Sequence, residues 1–120
     1  MSKSLMIVDD SIFVYEEMKH ILADTDYNIV GFAKSGEEAM EMYEQLKPQI
    51  VTMDIIMPGI DGLEAAKIML ERWPDAKIVM VSSLAYDDTI EQAGELGINQ
   101  FVFKPFDEVN LIEALNKIEV

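Results

Sequence analysis

With 120 residues, half of them apolar, the chain can bury one proper core and is too hydrophobic to stay disordered. Its 23 acidic and 9 basic residues give a net charge of -14, which excludes a domain that grips nucleic acid through a basic face of its own. It has no cysteine, hence no disulfide framework or thiolate zinc site, and no apolar run long enough for a secretion signal or a membrane span, so a cytoplasmic setting is expected.

Leu5-Met6-Ile7-Val8 is a continuous apolar run, the pattern of a parallel strand covered on both faces, and it ends in Asp9-Asp10. Ser11 can cap a helix whose inward stripe is Val14, Met18, Ile21 and Leu22, with Glu16, Glu17, Lys19 and His20 off it. Asn28 to Ala33 reads as a second strand. Ser35 and Glu38 form a capping box for a second helix with Ala39, Met42, Tyr43 and Leu46 inward, and Lys47-Pro48 stops it. Ile50, Val51 and Met53 suit a third buried strand that delivers Asp54 to its end, after which Pro58, Gly59 and Gly62 punctuate a loop.

Gly62 opens a third helix with Leu63, Ala66 and Leu70 inward, closed by Trp73-Pro74. Lys77 to Val81 is a fourth strand, followed by Ser82-Ser83. Tyr86 to Leu96 is a weaker helix with Ile90 and Ala93 in register, and Gly97-Ile98 has the form of a glycine cap with its apolar follower. Asn99 to Phe103 is a fifth strand ending at Lys104-Pro105. Asp107 caps a last helix with Leu111, Ile112, Leu115 and Ile118 inward. Strand and helix thus alternate five times, which predicts an α/β fold with a five-stranded parallel sheet, helices on both faces and right-handed crossovers.

Polar residues collect where the strands end: Asp9 and Asp10 after the first, Asp54 after the third, Ser82 after the fourth and Lys104 after the fifth. Open α/β sheets bind their ligands at that edge. Each residue also has a plain structural role: the acidic pair can favour a helix N-terminus, Asp54 can cap its loop, Lys104 can be a counter-ion and Ser82 a small turn residue. Taken together they favour chemistry. Three carboxylates make a hard oxygen site suited to Mg2+. A carboxylate can act as a nucleophile toward a phosphoryl group, and an ammonium and a hydroxyl can hold that group's oxygens.

The motifs are Ile7-Val8-Asp9-Asp10-Ser11, Met53-Asp54-Ile55-Ile56-Met57-Pro58-Gly59-Ile60-Asp61-Gly62, Val81-Ser82-Ser83 and Lys104-Pro105-Phe106. In this order they resemble the receiver domains of two-component response regulators, most closely the single-domain chemotaxis (CheY-like) type. The likeness runs over nearly the whole chain, taken as one receiver domain over residues 1–120. It implies the doubly wound, flavodoxin-like strand order 2-1-3-4-5. It implies Asp54 as phosphoacceptor and Mg2+ held by Asp10, Asp54 and the backbone carbonyl of Ile56, with Asp9 assisting through a water. Ser82 matches the switch hydroxyl, Phe101 the switch aromatic, and Lys104 the lysine that precedes a cis-proline, here Pro105. The resemblance further implies a histidine kinase or histidine phosphotransfer protein as donor and a protein target on the face of the fourth helix, fifth strand and last helix, without direct nucleic-acid contact or membrane insertion. A receiver catalyses only its own phosphorylation and dephosphorylation.

Two departures matter. Ile56 and Leu84 are apolar at positions that flank the path of hydrolytic water in this family, where polar residues are common; a long-lived aspartyl phosphate is expected. Phe101 lacks the hydroxyl of the tyrosine common at its position. Ile12 and Phe13 lie beside the acidic pair, where one can dock the donor's helices, although burial is expected for Phe13. An aspartate-nucleophile phosphatase of the haloacid-dehalogenase type is disfavoured, because it needs a second aspartate at position 56 and a cap segment. A pure interaction domain would have no need of the intact acidic, serine and lysine set. Nucleotide binding lacks a Gly-rich fingerprint.

Overall fold

Five strands and five helices alternate in the computed structural model, which describes residues 2–83 and 87–119. They are β1 (Lys3–Val8), α1 (Ile12–Leu22), β2 (Tyr27–Ala33), α2 (Gly36–Leu46), β3 (Ile50–Met53), α3 (Gly62–Arg72), β4 (Ile78–Ser82), α4 (Asp87–Glu95), β5 (Phe101–Phe103) and α5 (Glu108–Asn116). The strands form one parallel sheet, as the alternating pattern predicts, in the order β2-β1-β3-β4-β5 that the resemblance implies.

The alternation of side chains along each strand divides the core into two layers. Met6 and Val8 face Ala39, Tyr43, Ala65, Met69 and Ala93 from α2, α3 and α4. Leu5 and Ile7 face Met18, Leu22, Leu111 and Leu115 from α1 and α5. Because both faces are covered, β1 carries the unbroken apolar run Leu5–Val8 in place of alternation, and β3 is buried at every position, Thr52 included.

Local chemistry sets the helix ends. Ser11, Ser35, Asp61 and Asp107 cap α1, α2, α3 and α5, each accepting a hydrogen bond from a backbone N–H three residues on. Lys47 ends α2 in a left-handed conformation, φ 42°, directly before Pro48. Helix α4 ends in a glycine cap: Gly97 has φ 89°, its N–H donates to Gly94 O, and Ile98 N–H reaches back to Ala93 O at 2.9 Å.

Several limits differ from the sequence reading. Strand β2 begins at Tyr27, one residue early. Strand β5 is confined to Phe101–Phe103, shorter by Asn99 and Gln100 than expected, although Gln100 O already accepts from Met80 N–H. Leu46, expected inward, is exposed at the last residue of α2, although the tip of its side chain lies over Gly31 of the edge strand β2. The expected start of the fourth helix at Tyr86 lies outside the described residues. Between β1 and β2 the register slips, with Leu5 opposite Ile29 and Met6 opposite Gly31, so Val30 is an extra residue on the open edge. Such a bulge blunts an edge strand against pairing with another chain.

One glycine fixes the loop after β3. Gly62, the first residue of α3, donates its N–H to Ile55 O at 2.8 Å, and a Cβ there would overlap the Asp54 carbonyl and Ile55 Cα. Gly94, on the exposed side of α4, has open space around it. Gly62→Ala should therefore lose about 2–4 kcal/mol of stability in denaturant unfolding. Gly94→Ala should gain about 0.5–1 kcal/mol, because it replaces glycine with the best helix former at no steric cost.

Candidate functional site

The C-terminal edge of the sheet gathers the polar residues. Asp9 follows β1 and is buried; its N–H donates to Ala33 O, and its Oδ1 accepts from Ser11 N–H at 2.9 Å. That bond orients the carboxylate as the chain turns into α1. Asp54 follows β3, is also buried, and is tied to the neighbouring strand by its N–H bond to Val8 O at 2.9 Å. Asp10 stands exposed at the rim. Lys104, after β5, donates its backbone N–H to Ser82 O, which sets its side chain beside the end of β4. Its Nζ lies 2.7 Å from Asp9 Oδ2 and 3.3 Å from Asp54 Oδ2. The Lys104–Pro105 bond is cis.

Ser82 is fully buried at the last position of β4. Phe101 is half-buried, its ring centroid 4.9 Å from that of Phe103. Ile56 is 53% exposed, so its apolar side chain faces solvent beside Asp54. Leu84 lies outside the described residues. Ile12 is 46% and Phe13 83% exposed, which corrects the expected burial of Phe13. The first turn of α1 starts at the rim of the sheet, and only Val14 onward reaches the covered face.

Asp9, Asp10 and Asp54 each offer a carboxylate oxygen, all within 4.8 Å of one another. Hard oxygen donors, few in number and open to water on the Asp10 side, fit Mg2+, which retains several of its waters. Gly62 belongs to the site's frame, though the sequence marks it only as a helix start; the Asp61–Gly62 pair at the loop's end is the signal that points to it.

Burial raises the Asp54 carboxyl above its usual range, and the charge of Asp9 adds to this; Lys104 and the Ile56 N–H oppose it without prevailing. For Lys104, burial pulls down, but its bond to Asp9 and the charge of Asp54 outweigh burial and hold it above its usual value. The signs differ in consequence. A carboxyl raised in the fold prefers its proton, so ionised Asp54 costs stability above its folded value. That cost vanishes as pH falls below the unfolded value of about 3.9. Lys104 contributes stability that is lost only in strong alkali, above its raised folded value. In metal-free buffer, Asp54→Asn should raise the thermal midpoint at pH 7, and the gain should shrink as pH falls toward 4; a lower midpoint at pH 7 would contradict this.

A model of the response regulator receiver domain matches residues 5–116. The chain is 40% identical over 118 residues to the chemotaxis protein CheY of Thermotoga maritima, covering 98% of each chain. It is 40% identical over 113 residues to CheY of Listeria monocytogenes, covering 94% of this chain and 95% of that one. Among solved structures, a CheX–CheY–BeF3–Mg complex from Borrelia burgdorferi matches with a TM-score of 0.90 at 30% identity, covering 94% of this chain and 86% of that chain.

Proposed function

Because this chain belongs to the response regulator receiver domain family, we propose that Asp54 is its phosphoacceptor and that residues 1–120 act as one phosphorylation-controlled switch. The donor is a histidine kinase or histidine phosphotransfer protein, and the setting is cytoplasmic. The observation that carries this reading is the place of the Lys104 ammonium, between the carboxylates of Asp9 and Asp54. Positive charge is needed there when phosphoryl oxygens arrive.

In the transfer, an Asp54 oxygen bonds to phosphorus as the P–N bond to the donor imidazole breaks. The bonding pair stays on that nitrogen, which takes up a proton from water. Lys104 pairs with the transferred oxygens, and the Ser82 hydroxyl, at the end of β4, donates to one of them. Asp10, Asp54 and the Ile56 carbonyl would hold Mg2+ directly and Asp9 through a water; when bound, the ion offsets the repulsion between the nucleophile and the phosphoryl group. Movement of Ser82 toward the phosphoryl group frees space for Phe101 to turn inward. That shift repacks the face of α4, β5 and α5, where the protein target docks. With no hydroxyl on Phe101, this rests on packing alone.

The test is incubation with Mg2+ and acetyl phosphate, read by intact mass. A phosphoryl adduct should form, need Mg2+ and be absent in Asp54→Asn; no adduct on the native chain would overturn the reading. In the same assay, decay should be faster for Ile56→Asn with Leu84→Glu than for the native chain, because polar side chains would order the attacking water that Ile56 does not. Equal or slower decay would sink that expectation.

Ile12 and Phe13 are exposed at the start of α1, next to the acidic pair, and donor helices dock on them. Ile12→Ala with Phe13→Ala should slow transfer from a phosphorylated histidine protein at least about tenfold, since buried aromatic anchors dominate such contacts. It should leave acetyl phosphate labelling unchanged; equal transfer rates would remove the docking role.

A further inference from the structure

The positive charge of this acidic chain is unevenly spread. Three of its nine bases, Lys3, Lys19 and Lys34, stand over aromatic rings on one side of the sheet's β2 edge. Tyr27, Ile29 and Phe32 of β2 point to the α1 side, into the layer of Met18 and Leu22. The Tyr15 ring of α1 stacks on Phe32, with centroids 4.4 Å apart and planes 12° from parallel. Lys34 Nζ lies 5.9 Å from the centre of Phe32, Lys19 Nζ 5.9 Å from that of Tyr15, and Lys3 Nζ 5.5 Å from that of Tyr27. Among the described residues none of the three lysines makes an ion pair. The ring faces hold the ammonium groups in place without neutralising them.

Between α1 and β2 lies an open groove of about 310 Å³, lined by Tyr15, Lys19, Ala23, Tyr27, Asn28 and Ile29. Its walls are aromatic, apolar, amide and lysine, and hold no carboxylate. The Tyr27 O–H donates to Asn116 Oδ1 at 2.6 Å, which ties this part of β2 to the end of α5 and keeps the groove's shape. Burial holds the Tyr27 hydroxyl above its usual value, and the charge of Asp26 adds to this. The Lys3 end is therefore less positive than the stretch from Lys19 to Lys34.

We propose that the groove between α1 and β2 docks an acidic amphipathic helix of a partner protein, whose carboxylates pair with Lys19 and Lys34 and whose apolar stripe sits on Ala23, Ile29 and the Tyr15 ring. A helix suits the place better than an added strand. The extra residue Val30 breaks the row of edge groups that a strand would pair with, so side chains must carry the contact. From Tyr27 to Lys34 the edge runs about 20 Å, which a helix covers in about four turns. Charge more than about 8 Å away is screened at physiological ionic strength, so a seated partner meets the three lysines and not the overall charge of -14. The proposal is independent of the phosphoacceptor role of Asp54.

The experiment titrates the full chain with an acetylated, amidated peptide of glutamate, alanine and leucine, about fifteen residues long, with its leucines spaced three and four apart to form one stripe. Binding is followed by amide NMR shifts. Shifts should concentrate in α1 from Tyr15 to Ala23 and in β2 from Asn28 to Lys34. Lys19→Glu with Lys34→Glu should weaken binding at least about tenfold, and Lys19→Arg with Lys34→Arg should retain it. Lys67→Glu with Lys77→Glu, the same charge change on α3 and before β4, should leave it nearly unaltered. Equal losses in the two glutamate variants would mean that only net charge is sensed and would overturn the proposal. So would the absence of saturable shifts in α1 and β2 at about 1 mM peptide. Equal binding of an extended peptide of alternating glutamate and valine would remove the helix as occupant. Tighter binding of a short oligothymidylate to the same amides would overturn the proposal in favour of nucleic acid. Self-association of the native chain abolished by Lys19→Glu with Lys34→Glu would overturn it in favour of a second copy.

Discussion

Two carboxylates that would repel each other are held together in a buried place by one ammonium. Asp9 and Asp54 end neighbouring strands, so the sheet itself forces them close. Lys104 comes from β5, with β4 between it and β3, and spans that distance with its flexible stem. Its charge lowers the repulsion that burial would otherwise magnify, yet the Asp54 carboxyl remains raised, so the pocket is only partly compensated. A partly compensated site has unsatisfied demand for positive charge. A hard cation held by Asp9, Asp10 and Asp54 would meet that demand.

The sheet's edges carry different treatments. The β2 edge is interrupted by the extra residue Val30. The β5 edge is short but keeps two aromatic residues and outward backbone groups beside an acidic helix. One edge is blunted against pairing and the other keeps its outward backbone groups.

Much of this was legible in the sequence, for physical reasons. A strand covered on both faces is apolar nearly throughout, so β1 and β3 announced themselves, and the caps at Ser11, Ser35 and Asp107 marked three helix starts. The polar cluster was legible because charged residues immediately after buried strands are costly unless they serve one another. What stayed hidden depends on distances between segments far apart in sequence. The slip at Val30 falls beside Gly31, where Met42 and Leu46 of α2 pack too closely for a side chain. The exposure of Phe13 depends on where the first turn of α1 meets the sheet rim, and apolar character alone cannot reveal it. Gly62 looked like an ordinary helix start; only the close approach of the Asp54 carbonyl shows why no side chain fits there.

That close approach also separates two properties that a signalling protein must adjust on different schedules. The Gly62–Ile55 hydrogen bond closes the loop into a ring, with Asp54 anchored at one side and Ile56 exposed at the other. On the proposed phosphoacceptor role of Asp54, substitution at the outward position would reset how long a signal persists without shifting the atom that receives it. Timing would then be a surface trait, while the receiving atom is held by the backbone of the core.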